Sequence, residues 1–172
     1  MAKHVIAAIP ADGIGTEVIA ATVEVLQALE QKFDGLELAV KHYDWGSDYY
    51  KKNGLMMPED GLDELRLSDA ILFGAVGAPD VPDHITLWGL RLRICQGFDQ
   101  YANVRPTRVL PGITSPLRNC EPGDLDWVIV RENSEGEYSG QGGRSHRGRP
   151  EEIGTEVAIF TRKGVERIMR YA

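Results

Sequence analysis

The sequence predicts an α/β protein built on a parallel sheet, and three features carry that prediction. Short, almost wholly apolar runs end in proline or glycine, as strands buried on both faces do. Segments with apolar residues at helical spacing lie between them. The 172-residue composition, 42% hydrophobic and 26% charged, is that of a packed globular chain rather than a disordered one.

The elements follow in order. His4-Val5-Ile6-Ala7-Ala8-Ile9-Pro10 is a buried strand, and Ala11-Asp12-Gly13-Ile14-Gly15-Thr16-Glu17 is a glycine turn after it. From Glu17 the positions Val18, Ile19, Thr22, Val25, Leu26 and Leu29 define a helix, which Asp34-Gly35 breaks. Leu36 to Val40 alternates as a second strand and closes a βαβ unit. Gly46 to Leu67 reads as a polar connector with a short helix at Leu62-Asp63-Glu64-Leu65. Ala70-Ile71-Leu72-Phe73-Gly74-Ala75-Val76-Gly77 is a third buried strand running into a glycine turn, and Ala78 to Pro82 a rigid loop. Leu87, Leu90, Ile94 and Phe98 mark one face of a helix that also carries Arg91 and Arg93.

The character changes near residue 100. Tyr101 to Leu110 and Asp126 to Val130 read as strands around the loop Pro111 to Asp124, which holds three prolines and two glycines. Ser139 to Pro150, rich in Gly, Ser and Arg, is an exposed loop or the tip of an arm. Glu156 to Phe160 is a strand, and Thr161 is a suitable N-cap for a helix with Val165, Ile168, Met169 and Ala172 on one face. That helix stops without a cap glycine or proline, so the sequence reads as cut.

Composition also excludes functions. With 19 Lys+Arg against 26 Asp+Glu the net charge is −7, which disfavours nucleic acid and anionic membranes as partners. No apolar run approaches the roughly 20 residues that span a bilayer, and Met1 to His4 ahead of a short strand is no secretory signal, so a cytoplasmic protein is expected. Cys95 and Cys120 match no metal or redox spacing and are read as free thiols. His4, His42, His84 and His146 are scattered without ligand spacing, and no metal site is expected within these residues.

Three groups bear on chemistry. The Asp12-Gly13-Ile14-Gly15 turn and the Gly74-Ala75-Val76-Gly77 turn each follow a buried strand, where α/β sheets bind ligands. Neither is the G-x-G-x-x-G fingerprint, and tight turns with no ligand are the alternative. Arg105 and Arg131 stand at or near the ends of apolar strands, and guanidinium forks that converge suit a di-acid. Their alternative is structural pairing with Asp99 or Glu132. Glu132, Glu135 and Glu137 are read as solvated or as balancing arginines, and Asp44-Trp45 to Tyr49-Tyr50 as helix packing.

Four ordered segments resemble the metal-dependent β-decarboxylating dehydrogenases, the isocitrate/isopropylmalate dehydrogenase family. They are Pro10-Ala11-Asp12-Gly13-Ile14-Gly15-Thr16-Glu17, Phe73 to Gly77, Tyr101-Ala102-Asn103-Val104-Arg105-Pro106, and Val130-Arg131-Glu132-Asn133-Ser134-Glu135-Gly136-Glu137-Tyr138. Asp83-His84-Ile85-Thr86-Leu87-Trp88-Gly89 and Gly97-Phe98-Asp99-Gln100-Tyr101 are most similar to the tartrate and D-malate branch.

The resemblance implies an isopropylmalate-dehydrogenase-like two-domain α/β fold present only in part. Residues 1–99 would be the first half of a split nucleotide-binding domain. Residues 100–172 would begin a small substrate and dimerisation domain, with an arm at about 139–156 that pairs with a second subunit in a homodimer. It also implies NAD-dependent oxidation and β-decarboxylation of a 2-hydroxy dicarboxylic acid such as tartrate or D-malate, assisted by Mn2+ or Mg2+. Arg105 and Arg131 would clamp the substrate carboxylates, Tyr138 would protonate the enol left by decarboxylation, and Ile14, Gly74, Ala75 and Val76 would contact NAD.

Two departures accompany it. Cys95 stands where relatives have an arginine, which leaves Arg91 and Arg93 as candidates for a third carboxylate contact, and Thr16 stands where most have proline. The family's general-base lysine and metal-binding aspartates have no counterpart in these residues, so this chain alone is expected to be inactive. Isopropylmalate or isocitrate dehydrogenase is the first alternative, disfavoured by Ile85-Thr86-Leu87-Trp88. A non-catalytic fragment that binds a di-acid or dimerises is the second.

Overall fold

β1 (Ala2–Ala11) is the middle strand of a three-stranded sheet in the order β2-β1-β3, with β2 (Leu36–His42) and β3 (Ala70–Ala75) parallel to it on either side. Its run Ala7-Ala8-Ile9 is fully buried, which is why this strand is apolar at successive positions rather than alternating. The computed structural model describes residues 2–172, so Met1, part of the leader reading above, lies outside the described residues. The chain divides into two compact units, one ending at Gly97 and one running from Phe98 to Ala172.

In the first unit α1 (Gly15–Lys32) begins two residues earlier than its apolar pattern and ends at Phe33, whose N–H bonds the Leu29 carbonyl at 2.9 Å. Only Ile19 of its large apolar residues is buried, while Val18, Val25 and Leu29 are exposed. The stretch read as a polar connector contains a further helix, α2 (Ser47–Asn53), before the expected short helix α3 (Gly61–Leu65). Its sequence SDYYKKN has no apolar stripe to announce it. It is held instead by the buried Trp45 and Ser47 at its start and by Gly54, left-handed at φ 76°, at its end.

The helix expected from Leu87 begins at Asp83 and is not uniform. α4 (Asp83–Thr86) passes into a π-helical turn at Leu87–Arg91 and then α5 (Leu92–Gly97). A π-turn shifts the phase of everything after it. The buried residues are accordingly Thr86, Leu90, Leu92 and Ile94, whereas Leu87 and Phe98, expected on the inner face, are only half-buried.

The second unit contains two antiparallel pairs. β4 (Ala102–Arg108) pairs with β5 (Asp126–Glu132), and β6 (Gly136–Ser145) pairs with β7 (Ile153–Ile159) as a long hairpin. The Gly- and Arg-rich segment expected as loop is therefore mostly strand, and only residues 146–152 form the tip. Thr161 caps α6 (Arg162–Tyr171) as expected, its Oγ1 accepting from Gly164 N at 3.0 Å. The inward face of α6 is Gly164, Arg167 and Ile168, while the apolar face read from the sequence is largely uncovered, with Val165 and Met169 exposed. Every fully buried apolar side chain among the described residues lies at or before Ile94.

Candidate functional site

In a parallel sheet ordered 2-1-3, the crevice for ligands opens beyond the carboxyl ends of the first and third strands. The loops carrying Ile14 and Gly74-Ala75-Val76 flank that point, joined by a bond from Asp12 N to Ala75 O at 2.6 Å. A Cβ on Gly15 would lie 2.1 Å from Pro10 O, and one on Gly74 2.3 Å from the same atom. Both glycines are thus required by backbone packing of α1 against β1 and β3. Ile14 stands at the start of α1 and is 64% exposed, so it presents an apolar surface beside the helix N-terminus.

Asp12 organises this end of the sheet, a role its place in the motif did not reveal. Its carboxylate is buried and accepts from Ser47 N at 2.7 Å, Ser47 Oγ at 2.7 Å and Gly77 N at 2.9 Å. One side chain therefore ties the loops after all three strands. Beyond β1 and β2 lies a cavity of about 360 Å³, lined by Ala11, Tyr43, Trp45, Tyr49 and Lys52 among others. Tyr43 and Trp45 pack there at 4.4 Å between ring centroids.

The second unit brings the two expected arginines together. In the β4–β5 register Asn103 lies opposite Arg131 and Arg105 opposite Ile129. Directly opposed residues share a face, as do residues two apart on one strand, so Asn103, Arg105 and Arg131 all project from one side of the ladder. Arg105 Nε donates to Asn103 Oδ1 at 3.3 Å, and an Arg131 terminal nitrogen donates to Asn133 Oδ1 at 3.3 Å. Arg131 also lies 5.4 Å from the centre of the Tyr138 ring, a cation–π contact that places the expected proton donor beside it.

Neither arginine is neutralised by an acid. Among the described residues no ion pair includes Arg105 or Arg131. Arg131 Nε is buried with no hydrogen-bond partner. The two acids that could have paired with them are engaged otherwise. Asp99 is bound by Arg167 at 2.9 Å to both oxygens. Glu132 accepts from Ser134 N, Ser134 Oγ and Glu135 N.

Of the acidic run after Arg131, Glu132 departs from the solvated or arginine-balancing reading, and Glu135 is held chiefly by Thr161. Glu132 closes the turn after β5, and Glu135 binds Thr161 through N at 2.7 Å and Oγ1 at 2.6 Å. These two bonds, led by the hydroxyl, hold the Glu135 carboxyl below its ordinary range against the opposing effect of burial, with Arg167 adding last. Glu137 is exposed.

The remaining candidates lie in the first unit. Arg93 donates to the Glu59 carbonyl at 2.8 Å, which commits part of its fork, and Arg91 ends the π-turn half-buried. Cys95 and Cys120 are free and partly buried. Among the described residues no three His, Cys, Asp or Glu side chains gather as ligands for a metal, and no helix is long and apolar enough to cross a membrane.

The described residues thus form a parallel α/β unit with glycine turns at its switch point, followed by an antiparallel unit bearing a tyrosine and two arginines without acidic partners. The chain belongs to the isocitrate/isopropylmalate dehydrogenase family, whose model matches residues 5–172. It is 77% identical over its whole length to a probable tartrate dehydrogenase/decarboxylase of Agrobacterium vitis, of which it covers 48%. It is 51% identical over 169 residues to the decarboxylating D-malate dehydrogenase of Escherichia coli, covering 46% of that protein. Among solved structures, isocitrate dehydrogenase from Methylococcus capsulatus is similar with a TM-score of 0.77 at 30% identity, over 98% of this chain and 46% of that one. A β-decarboxylating dehydrogenase from Thermococcus kodakarensis gives a TM-score of 0.64 at 37% identity, over 98% and 44%. The chain spans about half the length of the curated relatives it matches.

Proposed function

We propose that these residues serve NAD-dependent oxidation and β-decarboxylation of a small 2-hydroxy dicarboxylate, tartrate or D-malate, in a cytoplasmic homodimeric enzyme. The observation that carries this reading is the pair Arg105 and Arg131 on one face of the β4–β5 ladder, free of acidic partners, with Tyr138 against Arg131. Two guanidinium forks with spare donors are suited to two carboxylates, and a single carboxylate would leave one of them uncompensated. The relatives' names support the branch, since the most similar of them are tartrate and D-malate enzymes.

Arg105 and Arg131 bind the substrate carboxylates and so fix the carbon bearing the hydroxyl. Arg91 and Arg93 remain candidates for a further carboxylate contact, Arg93 with part of its fork on the Glu59 carbonyl. Ile14, Gly74, Ala75 and Val76 would hold NAD, which when bound accepts the hydride from C2. Once CO2 leaves the β-carbon, the pair of the broken bond forms the enolate of the C2 ketone, and the Tyr138 hydroxyl gives its proton to that carbon, which restores the carbonyl. The described residues do not themselves offer a ligand set for Mn2+ or Mg2+, and no proton or carboxylate role above depends on one. In this reading the hairpin β6–β7 is the arm that meets a second subunit.

A substrate panel on a full-length enzyme carrying this chain tests the proposal. Turnover of tartrate or D-malate ahead of isopropylmalate and isocitrate is expected, with Arg131→Ala raising the dicarboxylate KM at least tenfold. Preferential turnover of isopropylmalate or isocitrate would overturn it.

A further inference from the structure

We infer that Arg167, on α6, is a positioning residue for the arginine face of the β4–β5 ladder, acting through Asp99 and Ser134. The inference rests on the dicarboxylate reading above. Arg167 makes no hydrogen bond to Arg105 or Arg131, yet its side chain grips both chain segments leading into that face.

Its side chain is 22% exposed and every part of it is used or enclosed. One terminal nitrogen donates to both Asp99 oxygens at 2.9 Å, just ahead of β4. The other donates to Ser134 Oγ at 2.7 Å, in the turn after β5. The guanidinium plane lies 4.4 Å from the centre of the Tyr101 ring, and Nε is buried without a partner. Asp99 itself has φ 47°, a left-handed conformation uncommon for a side-chain-bearing residue, and Tyr101 N bonds its carbonyl at 2.8 Å. The salt link therefore holds a strained residue at the entrance to β4.

The connection continues to the binding face. Ser134 Oγ, while accepting from Arg167, donates to Glu132, the neighbour of Arg131. Asn133, buried at 4% exposure, donates its N–H to Tyr101 O at 2.9 Å and its amide to Gln100 O at 3.1 Å, and its Oδ1 receives Arg131. Arg167 thus sits behind the junction where the start of β4 and the end of β5 are stitched together. It also occupies Asp99 and, through Ser134, supports the turn that keeps Glu132 engaged. A lysine could supply the charge but not two divergent donors in one plane.

The test is steady-state kinetics of a full-length enzyme carrying Arg167→Gln, Arg167→Lys or Ser134→Ala, with thermal unfolding measured alongside. Expected are a rise of at least tenfold in dicarboxylate KM for Arg167→Gln and at least threefold for Ser134→Ala. The KM for NAD should stay within twofold and kcat within threefold, and Arg167→Lys should recover part of the loss. Ser134→Ala keeps the Asp99 link, so it reports on the proposal even if Arg167→Gln does not fold. Dicarboxylate KM within twofold of wild type in Ser134→Ala, or a parallel rise in both KM values, would overturn the inference. Arg131→Ala separates the two readings. If it abolishes dicarboxylate binding while Arg167→Gln and Ser134→Ala do not, the positioning role alone fails, and if it has no effect the dicarboxylate reading fails first.

Discussion

Ser47 Oγ donates to Asp12 Oδ2 at 2.7 Å across 35 residues of sequence, and the Ser47 N–H donates to the other oxygen of the same carboxylate. With Gly77 N as third donor, Asp12 is fully engaged in a buried setting. Removing the carboxylate takes the acceptor from the buried Ser47 N–H and hydroxyl and from the part-buried Gly77 N–H. Asp12→Ala is expected to cost about 2–5 kcal/mol, and Ser47→Ala about 1.5–3 kcal/mol for one hydrogen bond to a charged group. Asp12→Asn does not rescue, because its amide offers donors where donors already point. Urea unfolding of the three variants against wild type checks the order.

Gly15 and Gly74 make a second prediction of the same kind. The atoms that a methyl group would strike are Pro10 O and, for Gly15, also Ala75 N at 2.5 Å, all of them backbone. Backbone cannot swing aside as a flexible side chain does, so each alanine variant should lose at least about 1–3 kcal/mol from overpacking. Gly143→Ala, where nothing lies within 4 Å, is the matched control and should be within about 0.5 kcal/mol of wild type. Equal stability of Gly74→Ala and Gly143→Ala would contradict the packing account.

These two sites also show what sequence can and cannot carry. The strands β1 and β3 were legible because a buried parallel strand writes itself as an apolar run, β2 because its residues alternate, and the glycine turns because their residue type is distinctive. α2 was not, since its stability comes from Trp45, Ser47 and Asp12 rather than from an apolar stripe. The π-turn at Leu87–Arg91 was hidden for a related reason: a uniform 3.6-residue period cannot express a mid-helix change of phase, and Leu92 emerged on the buried side. For the site, residue type pointed to Arg105, Arg131 and Tyr138. Their convergence depends on the β4–β5 register, and the fate of Asp99 and Glu132 on Arg167, which no local pattern marks.

Glu135 gives a prediction in pH. Its carboxyl is held below its ordinary value by the Thr161 hydroxyl and N–H and by Arg167. A group whose folded-state value is depressed contributes stability that is fully present above its unfolded value and is lost as pH falls through the folded one. Glu135→Gln should therefore be less stable than wild type at pH 7, and the gap should narrow as pH falls below about 4. Thr161→Ala removes both the helix cap and the hydroxyl on Glu135, and should cost about 1–2 kcal/mol at pH 7. Denaturant midpoints at pH 7 and pH 3.5 read both effects, and a gap that widens toward acid would refute the assignment.

Tyr138 and Arg131 should separate in kinetics although they touch. If Tyr138 returns the proton, Tyr138→Phe keeps the ring under the guanidinium and removes only the hydroxyl. A fall in kcat of about 10²–10⁴-fold with dicarboxylate KM within threefold is expected, the size usual for a positioned acid. Arg131→Lys should do the reverse, raising KM with a smaller change in kcat, because a point charge replaces a planar fork. A Tyr138→Phe enzyme that turns over at the wild-type rate would remove the proton role.

The distribution of the core supports a last prediction. From Phe98 onward no apolar side chain among the described residues is fully buried. Trp127 at 57% exposure and Val128 at 61% lie on opposite faces of β5, and Phe160 beside the hairpin is 67% exposed. In α1 Val18, Val25 and Leu29 are also uncovered. Apolar surface of this extent, on both faces of a two-stranded ladder, is characteristic of surfaces that meet further protein. The 172 residues expressed alone should therefore bind a hydrophobic dye such as ANS strongly, self-associate with rising concentration, and melt without a sharp transition. A full-length enzyme should lose the dye binding and unfold cooperatively. Trp127 offers a local readout of the same event, its emission shifting to shorter wavelength as water is excluded. A monodisperse 172-residue monomer with a sharp, reversible melt and no dye binding would show instead that these faces need no cover.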